Sequence, residues 1–225
     1  MLYSASCSLA LLALGSLHAT AFPLQSSGNN VCSSPGEGSI ASYCLDSSVL
    51  PSDSTTPSHD IPSLIPSGTG LRTFVDKDYQ DSPTLRLVSA TNPSNPPLTN
   101  HIGEGTGINC HRKGKCDAWP IWDDRRINPS HACNLSLDPQ TKRVTANCPN
   151  SIQYSMVPAT TDDQEVWTVR TNNDLVVGSF TRVSGSSGDG KVRVDVTKPS
   201  GPDNKWNPSL LVDFAIATRS LGGFS

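Results

Sequence analysis

Alternation of apolar and polar residues is clearest in the C-terminal third of the chain. Lys191-Val192-Arg193-Val194-Asp195-Val196 places three valines on one side and three charged residues on the other, the period-two signature of a half-buried strand. Ser151–Val157 and Glu165–Arg170 alternate in the same way. Asn172-Asn173, residues that tolerate positive φ, are expected to turn the second of these into a strand over 174–183. The loop Ser184–Gly190 then leads into the valine strand. Leu210-Leu211-Val212-Asp213-Phe214-Ala215-Ile216 reads as a last strand, and Leu71–Val75 and Thr84–Val88 as two earlier ones. Asn92-Pro93 and Pro96-Pro97 break the chain between these groups, and a short helix is expected between Trp119 and Asn128. Hairpins with one wet face predict a mainly β fold, an antiparallel β sandwich or open barrel held by disulfides.

The N-terminal part lacks this patterning. Residues 1–21 carry a short apolar run, Leu9–Leu14, ending in Ala19-Thr20-Ala21, which predicts a secretory signal peptide with Phe22 as the mature N-terminus. Residues 22–70 are rich in Ser and Pro and poor in large apolar side chains, so they are expected to form a flexible, disordered segment preceding a cysteine-pinned β domain over 71–225. No run is long and apolar enough for a membrane-spanning helix.

An export signal changes the meaning of the cysteines. Of seven, Cys7 leaves with the signal, and Cys32, Cys44, Cys110, Cys116, Cys133 and Cys148 are expected to form disulfides. A Cys32–Cys44 bridge, with the other four paired among themselves, is the expected arrangement. A zinc site using the central cysteines with His111 or His131 is the competing reading, although the spacings are not the tight Cys-x2-Cys of finger sites. No metal or other cofactor is expected.

The net charge of −3 argues against nucleic acid as a partner, but the cysteine-rich centre is the basic part of the chain. Arg112, Lys113 and Lys115 fall within the short Cys110–Cys116 interval, where a constrained loop would hold cations toward an anionic partner. The competing reading is a solvated turn. Trp119 and Trp122 are candidate aromatic anchors for a protein or glycan, or else core filler. Asn134-Leu135-Ser136 is an N-glycosylation sequon, expected in a surface turn after Cys133. Chemistry is poorly represented: there is no Gly-x-Ser-x-Gly elbow and no His-Glu-x-x-His. Glu104 with Asp117, Asp123 or Asp124, near His101 and His111, is the best acid/base grouping a glycan hydrolase could use.

The centre also resembles a known family. Gly107-Ile108-Asn109-Cys110 followed by Cys116, Ile121-x-Asp123-Asp124-Arg125 before Ala132-Cys133, and Lys142-Arg143 ahead of Cys148 and Asn150-Ser151-Ile152 are similar to stretches of the killer protein four toxins and their fungal relatives. The resemblance implies a secreted, non-catalytic toxin with an α/β sandwich fold, acting through a cationic surface to block calcium uptake. This chain departs from the pattern in having no cysteine after Cys148, Ala146 where the toxin has lysine, and a long segment before Gly107. The expectation is a secreted, monomeric, non-enzymatic effector or toxin-like protein that binds an extracellular protein or glycan on a host or competitor cell. The alternatives are a carbohydrate-binding cell-wall protein and a secreted glycan hydrolase.

Overall fold

The computed structural model describes residues 30–46, 59–76, 84–90, 105–111, 114–121, 132–161, 163–183, 190–197 and 208–224. Twelve strands make up most of these: β1 (Ala41–Leu45), β2 (Asp60–Ile61), β3 (Leu71–Asp76), β4 (Thr84–Ser89), β5 (Gly105–His111), β6 (Lys115–Ile121), β7 (Cys133–Leu137), β8 (Val144–Asn147), β9 (Gln153–Thr160), β10 (Gln164–Thr171), β11 (Val176–Val183) and β12 (Val192–Val196). Each strand from β2 onward pairs antiparallel with the next in sequence, and β12 pairs with β1. The two ends of this sheet then meet. The Leu64 N–H donates to the Ser42 carbonyl at 2.8 Å and the Cys44 N–H to the Pro62 carbonyl at 3.3 Å, with Tyr43 bridged to Ser63. The result is a nearly closed up-and-down barrel, which among the described residues leaves no long strand edge unpaired.

The alternation seen in the sequence sorts side chains between the bore and the outside. Val192, Val194 and Val196 are buried inward, as are Trp167 and Val169 of β10 and Tyr154 and Met156 of β9. Arg193, Thr168 and Ser155 lie between them on the outer side. An apolar bore and a polar outer surface are the reverse of a membrane-spanning barrel.

The bore holds α1 (Ser209–Ser220). Every residue from Leu211 to Thr218 is buried, which is two full turns with no wet face. Packing reaches it from around the barrel. It lies against β5, β6, β7 and β12, and the Phe214 ring sits 5.4 Å from that of Tyr154 on β9. A Cβ on Gly178 of β11 would collide with Leu211, and Trp167 of β10 meets Gly223 and Phe224 just beyond the helix. The geometry accounts for this. Twelve strands about 4.8 Å apart and tilted by roughly 40° enclose a radius of about 12 Å. One helix on the axis, packing at about 10 Å, fills that space.

Several expectations are corrected here. Leu210–Ile216 is helix and not strand. The apolar run has no polar face because every side of it meets the barrel wall. Of the short helix expected between Trp119 and Asn128, Trp119 to Ile121 belong instead to β6, and the remainder lies outside the described residues. The segment 22–70 is not solely flexible. It supplies β1 and β2, and Tyr43, Leu45 and Ile61 enter the core, so no sheet boundary falls at residue 71. The sequon lies in β7 and not in a turn: Cys133-Asn134-Leu135-Ser136-Leu137 alternates, with Asn134 and Ser136 both exposed. The layered α/β sandwich implied by the toxin resemblance is not the arrangement seen.

Residues 30–40 form a strap over the outer face of β1 and β12. Asp195 is its anchor, accepting from Ser42 Oγ at 2.6 Å, from the Gly36 N–H at 3.0 Å and from Arg193 Nε at 2.7 Å. Arg193 also donates to the Val31 carbonyl at 3.1 Å. The Cys32–Cys44 disulfide ties the strap to β1 covalently.

Candidate functional site

The β5–β6 hairpin carries the candidate binding residues. Its strands pair from Gly105 opposite Ile121 to His111 opposite Lys115, so Cys110 faces Cys116 directly and the two are bonded. Cys116 is fully buried against α1, where its sulfur lies 4.0 Å from the Ala217 carbonyl. The bridge therefore points inward and ties β5 to β6 across the hairpin. Gly114, with φ of 72°, takes the left-handed position that the tight turn needs. Lys115 follows it on the outer surface and is exposed. Arg112, Lys113, Trp122, Glu104, Asp123, Asp124, His101, His131 and the predicted signal region lie outside the described residues.

The adjacent hairpin adds cations that the sequence reading did not assign to binding. Lys115 pairs with Ser136, and one residue further on β7 enters the turn 138–143 before β8. Lys142 and Arg143 in that turn are exposed, and both hairpins open onto the same rim of the barrel. Lys142 is held at a φ of 56°. Asp138 closes the turn, accepting from Thr141 Oγ1 at 2.7 Å and the Gln140 N–H at 2.9 Å. These hydrogen bonds, with Arg143 nearby, hold its carboxyl below the usual range, so it stays ionised as the turn's internal anion.

Trp119 is not the exposed anchor that was one of its two readings. It is 7% exposed and lies over Gly107 on the neighbouring strand, where a Cβ would come within 2.8 Å of the indole ring. Gly107 is the reason the tryptophan can lie flat. Trp167, 1% exposed, is equally unavailable; its indole N–H donates to Glu165 at 3.0 Å. Glu165 in turn pairs with Arg182 at 2.5 Å, and the guanidinium sits 5.5 Å above the Phe224 ring. This group closes the rim end of the bore around the C-terminal segment. Asn134 stands exposed on the outer side of β7, within reach of a glycosylating enzyme only from that face.

All six described cysteines are in disulfides, Cys133 with Cys148 being the third, so none offers a thiolate to zinc. Among the described residues no three His, Cys, Asp or Glu side chains gather as a metal site, and no helix is long and apolar enough to cross a membrane. Of the acid/base grouping, Asp117 sits on the outer side of β6 between Asn109 and Asn134, and His111 ends β5 opposite Lys115.

One acidic group passed over in the sequence is Asp213. It is 0% exposed within α1, and neither carboxyl oxygen has a hydrogen-bond partner among the described residues. The nearby Thr106 hydroxyl donates instead to Ser209 Oγ at 2.9 Å. Burial pushes the Asp213 carboxyl well above the usual range, and Thr106 offsets this only in part. An acid set alone in a seven-residue apolar run was the visible signal.

No protein-family model matches the chain, and no curated protein or solved structure shows significant similarity to it.

Proposed function

We propose that the chain is a secreted, non-enzymatic binding protein of effector or toxin-like type, which docks through the cationic rim formed by the β5–β6 and β7–β8 hairpins onto an anionic extracellular partner. The observation that carries this reading is the filled bore. With α1 occupying the interior, the fold acts from its outer surface, and Lys115, Lys142 and Arg143 are exposed together at one rim of it. Three disulfides supply the rigidity that lets such a rim bind without being ordered first. The resemblance of the Gly107–Ile152 stretch to killer protein four toxins points the same way. Burial of Trp119 and Trp167 gives no support to a glycan platform built on them.

The test uses the oxidised full chain, fluorescently labelled and titrated onto intact fungal and plant cells at two salt concentrations. Exposed charge contacts of about 0.5 kcal/mol each, three together, give an expected loss of about tenfold in affinity for Lys115→Ala/Lys142→Ala/Arg143→Ala. Wild-type binding is expected to weaken with added salt. Saturable binding that neither the substitutions nor salt alters would overturn the reading.

A further inference from the structure

The apolar bore of a nearly closed barrel is an unfavourable place for a carboxyl with no hydrogen-bond partner among the described residues. Asp213 nevertheless occupies the second turn of α1, with Ser209 one turn below it and Thr106 of β5 alongside. These two hydroxyls bond to each other at 2.9 Å. Among the described residues nothing cationic faces the carboxyl. The described inward side chains of β5, β6, β7 and β12, the strands on which α1 packs, are all uncharged, and their cysteines are locked in disulfides. On β9 the titratable inward residue is Tyr154, against Phe214. Glu165 and Arg182, from β10 and β11, pair with each other at the rim, beyond the far end of the helix. Asp195 and Arg193 of β12 point outward into the strap.

From this placement we infer that α1 is a proton-locked plug: Asp213 holds the helix in the bore as the neutral acid, and its ionisation loosens the helix from the barrel. The reaction is loss of one proton from the Asp213 carboxyl to solvent, with no other bond made or broken. A carboxylate in the bore would find no counter-charge among the described residues, whereas the same carboxylate on a released helix is hydrated. What ionisation exposes is chemically defined. The helix brings out Leu211, Val212, Phe214 and Ile216, and the bore opens an apolar lining. The inference does not depend on the cationic rim, whose side chains lie on the outer surface of the barrel and not in the bore.

The sign follows from linkage. The folded carboxyl binds its proton more tightly than the unfolded one, so the contribution of Asp213 to stability is fully present below the ordinary carboxyl range. It is lost as pH rises through the elevated folded pKa. Over that window the ratio of loosened to locked helix rises about tenfold per pH unit, as one proton requires.

The experiment follows binding of an apolar fluorescent dye to the oxidised full chain from pH 5 to pH 9.5, beside Asp213→Asn. Infrared spectroscopy of wild type records whether a protonated buried carboxylic acid is present at neutral pH. Expected are dye binding that grows with pH in wild type, no such growth in Asp213→Asn, and an acid band that disappears over the same pH range. Dye binding flat to pH 9.5, or an equal rise in Asp213→Asn, would overturn the inference. If Asp213→Asn does not fold, the infrared titration decides: an acid band absent at neutral pH overturns it, and one lost in step with dye uptake upholds it.

Discussion

Replacing Gly178 by alanine tests whether the helix really fills the bore. Gly178 faces inward on β11, opposite Val169 and Val196, where the pairing with β10 shifts register at Val177. Its missing side chain is the slot into which Leu211 of α1 fits. A Cβ there would overlap Leu211 Cδ2 and the backbone carbonyl of Asp195. A leucine tip can turn aside, but a carbonyl within a paired strand cannot, so the strain has to move β12 or the helix. Overpacking of this kind costs about 1–3 kcal/mol, and the backbone overlap places Gly178→Ala near the upper end. Leu211→Ala alone, at a fully buried position, is expected to cost about 2–5 kcal/mol. The two should couple. With Leu211 trimmed one of the two overlaps disappears, so the double variant is expected to be more stable than the summed single effects by about 0.5–2 kcal/mol, yet still less stable than Leu211→Ala. Guanidinium unfolding of the oxidised chain, followed by tryptophan fluorescence, measures all three. A Gly178→Ala variant within about 0.5 kcal/mol of wild type, or strict additivity, would refute a helix seated against β11.

Further outcomes follow from the remaining contacts. Asp195→Ala strands Arg193, Ser42 and the Gly36 N–H at a site that is largely buried; a loss of about 3–5 kcal/mol in chemical denaturation is expected, with release of the strap seen as faster proteolysis before Ile40. Cys32→Ser/Cys44→Ser should cost about 2–4 kcal/mol by the same assay and leave the barrel's circular dichroism intact, because the bridge ties strap to strand and not strand to strand. Phe224→Ala removes the cover over Trp167 and the seat of Arg182, so a lower melting temperature, corresponding to about 3 kcal/mol, and a red-shifted tryptophan emission are expected.

Much of the sheet could be read from alternation alone. Val192, Val194 and Val196, and Trp167 with Val169, face the bore as their spacing implies. The helix could not be read this way for a physical reason. Periodicity reports a difference between two faces, and α1 has none, since barrel wall surrounds it. A short apolar run without a wet side looks the same as a buried strand or a buried helix. Punctuation would have separated them: Pro208 precedes the run, Arg219 sits in its last turn and Gly222-Gly223 follow, the start and stop signals of a helix. β1 was hidden by averaging, because Tyr43 and Leu45 sit in a Ser-rich segment whose composition reads as disorder. β5 contains Gly107 and Asn109 where a strand pattern expects bulk, and only the Trp119 ring of β6 lying over Gly107 makes sense of the glycine. The site was partly legible. Lys115 stood out inside its cysteine interval, whereas Lys142 and Arg143 join it only because β6 and β7 pair.

The claim on which the rest depends is that α1 lies inside the barrel, enclosed on all sides. Native-state hydrogen exchange of the oxidised chain, at a fixed pH near 5, measures this at the backbone amides from Val212 to Thr218. Exchange no faster than that of the slowest amides of β9–β12, and therefore only through global unfolding, is the expected result. Exchange of those helix amides at rates close to those of a free peptide, while the strands stay protected, would contradict it.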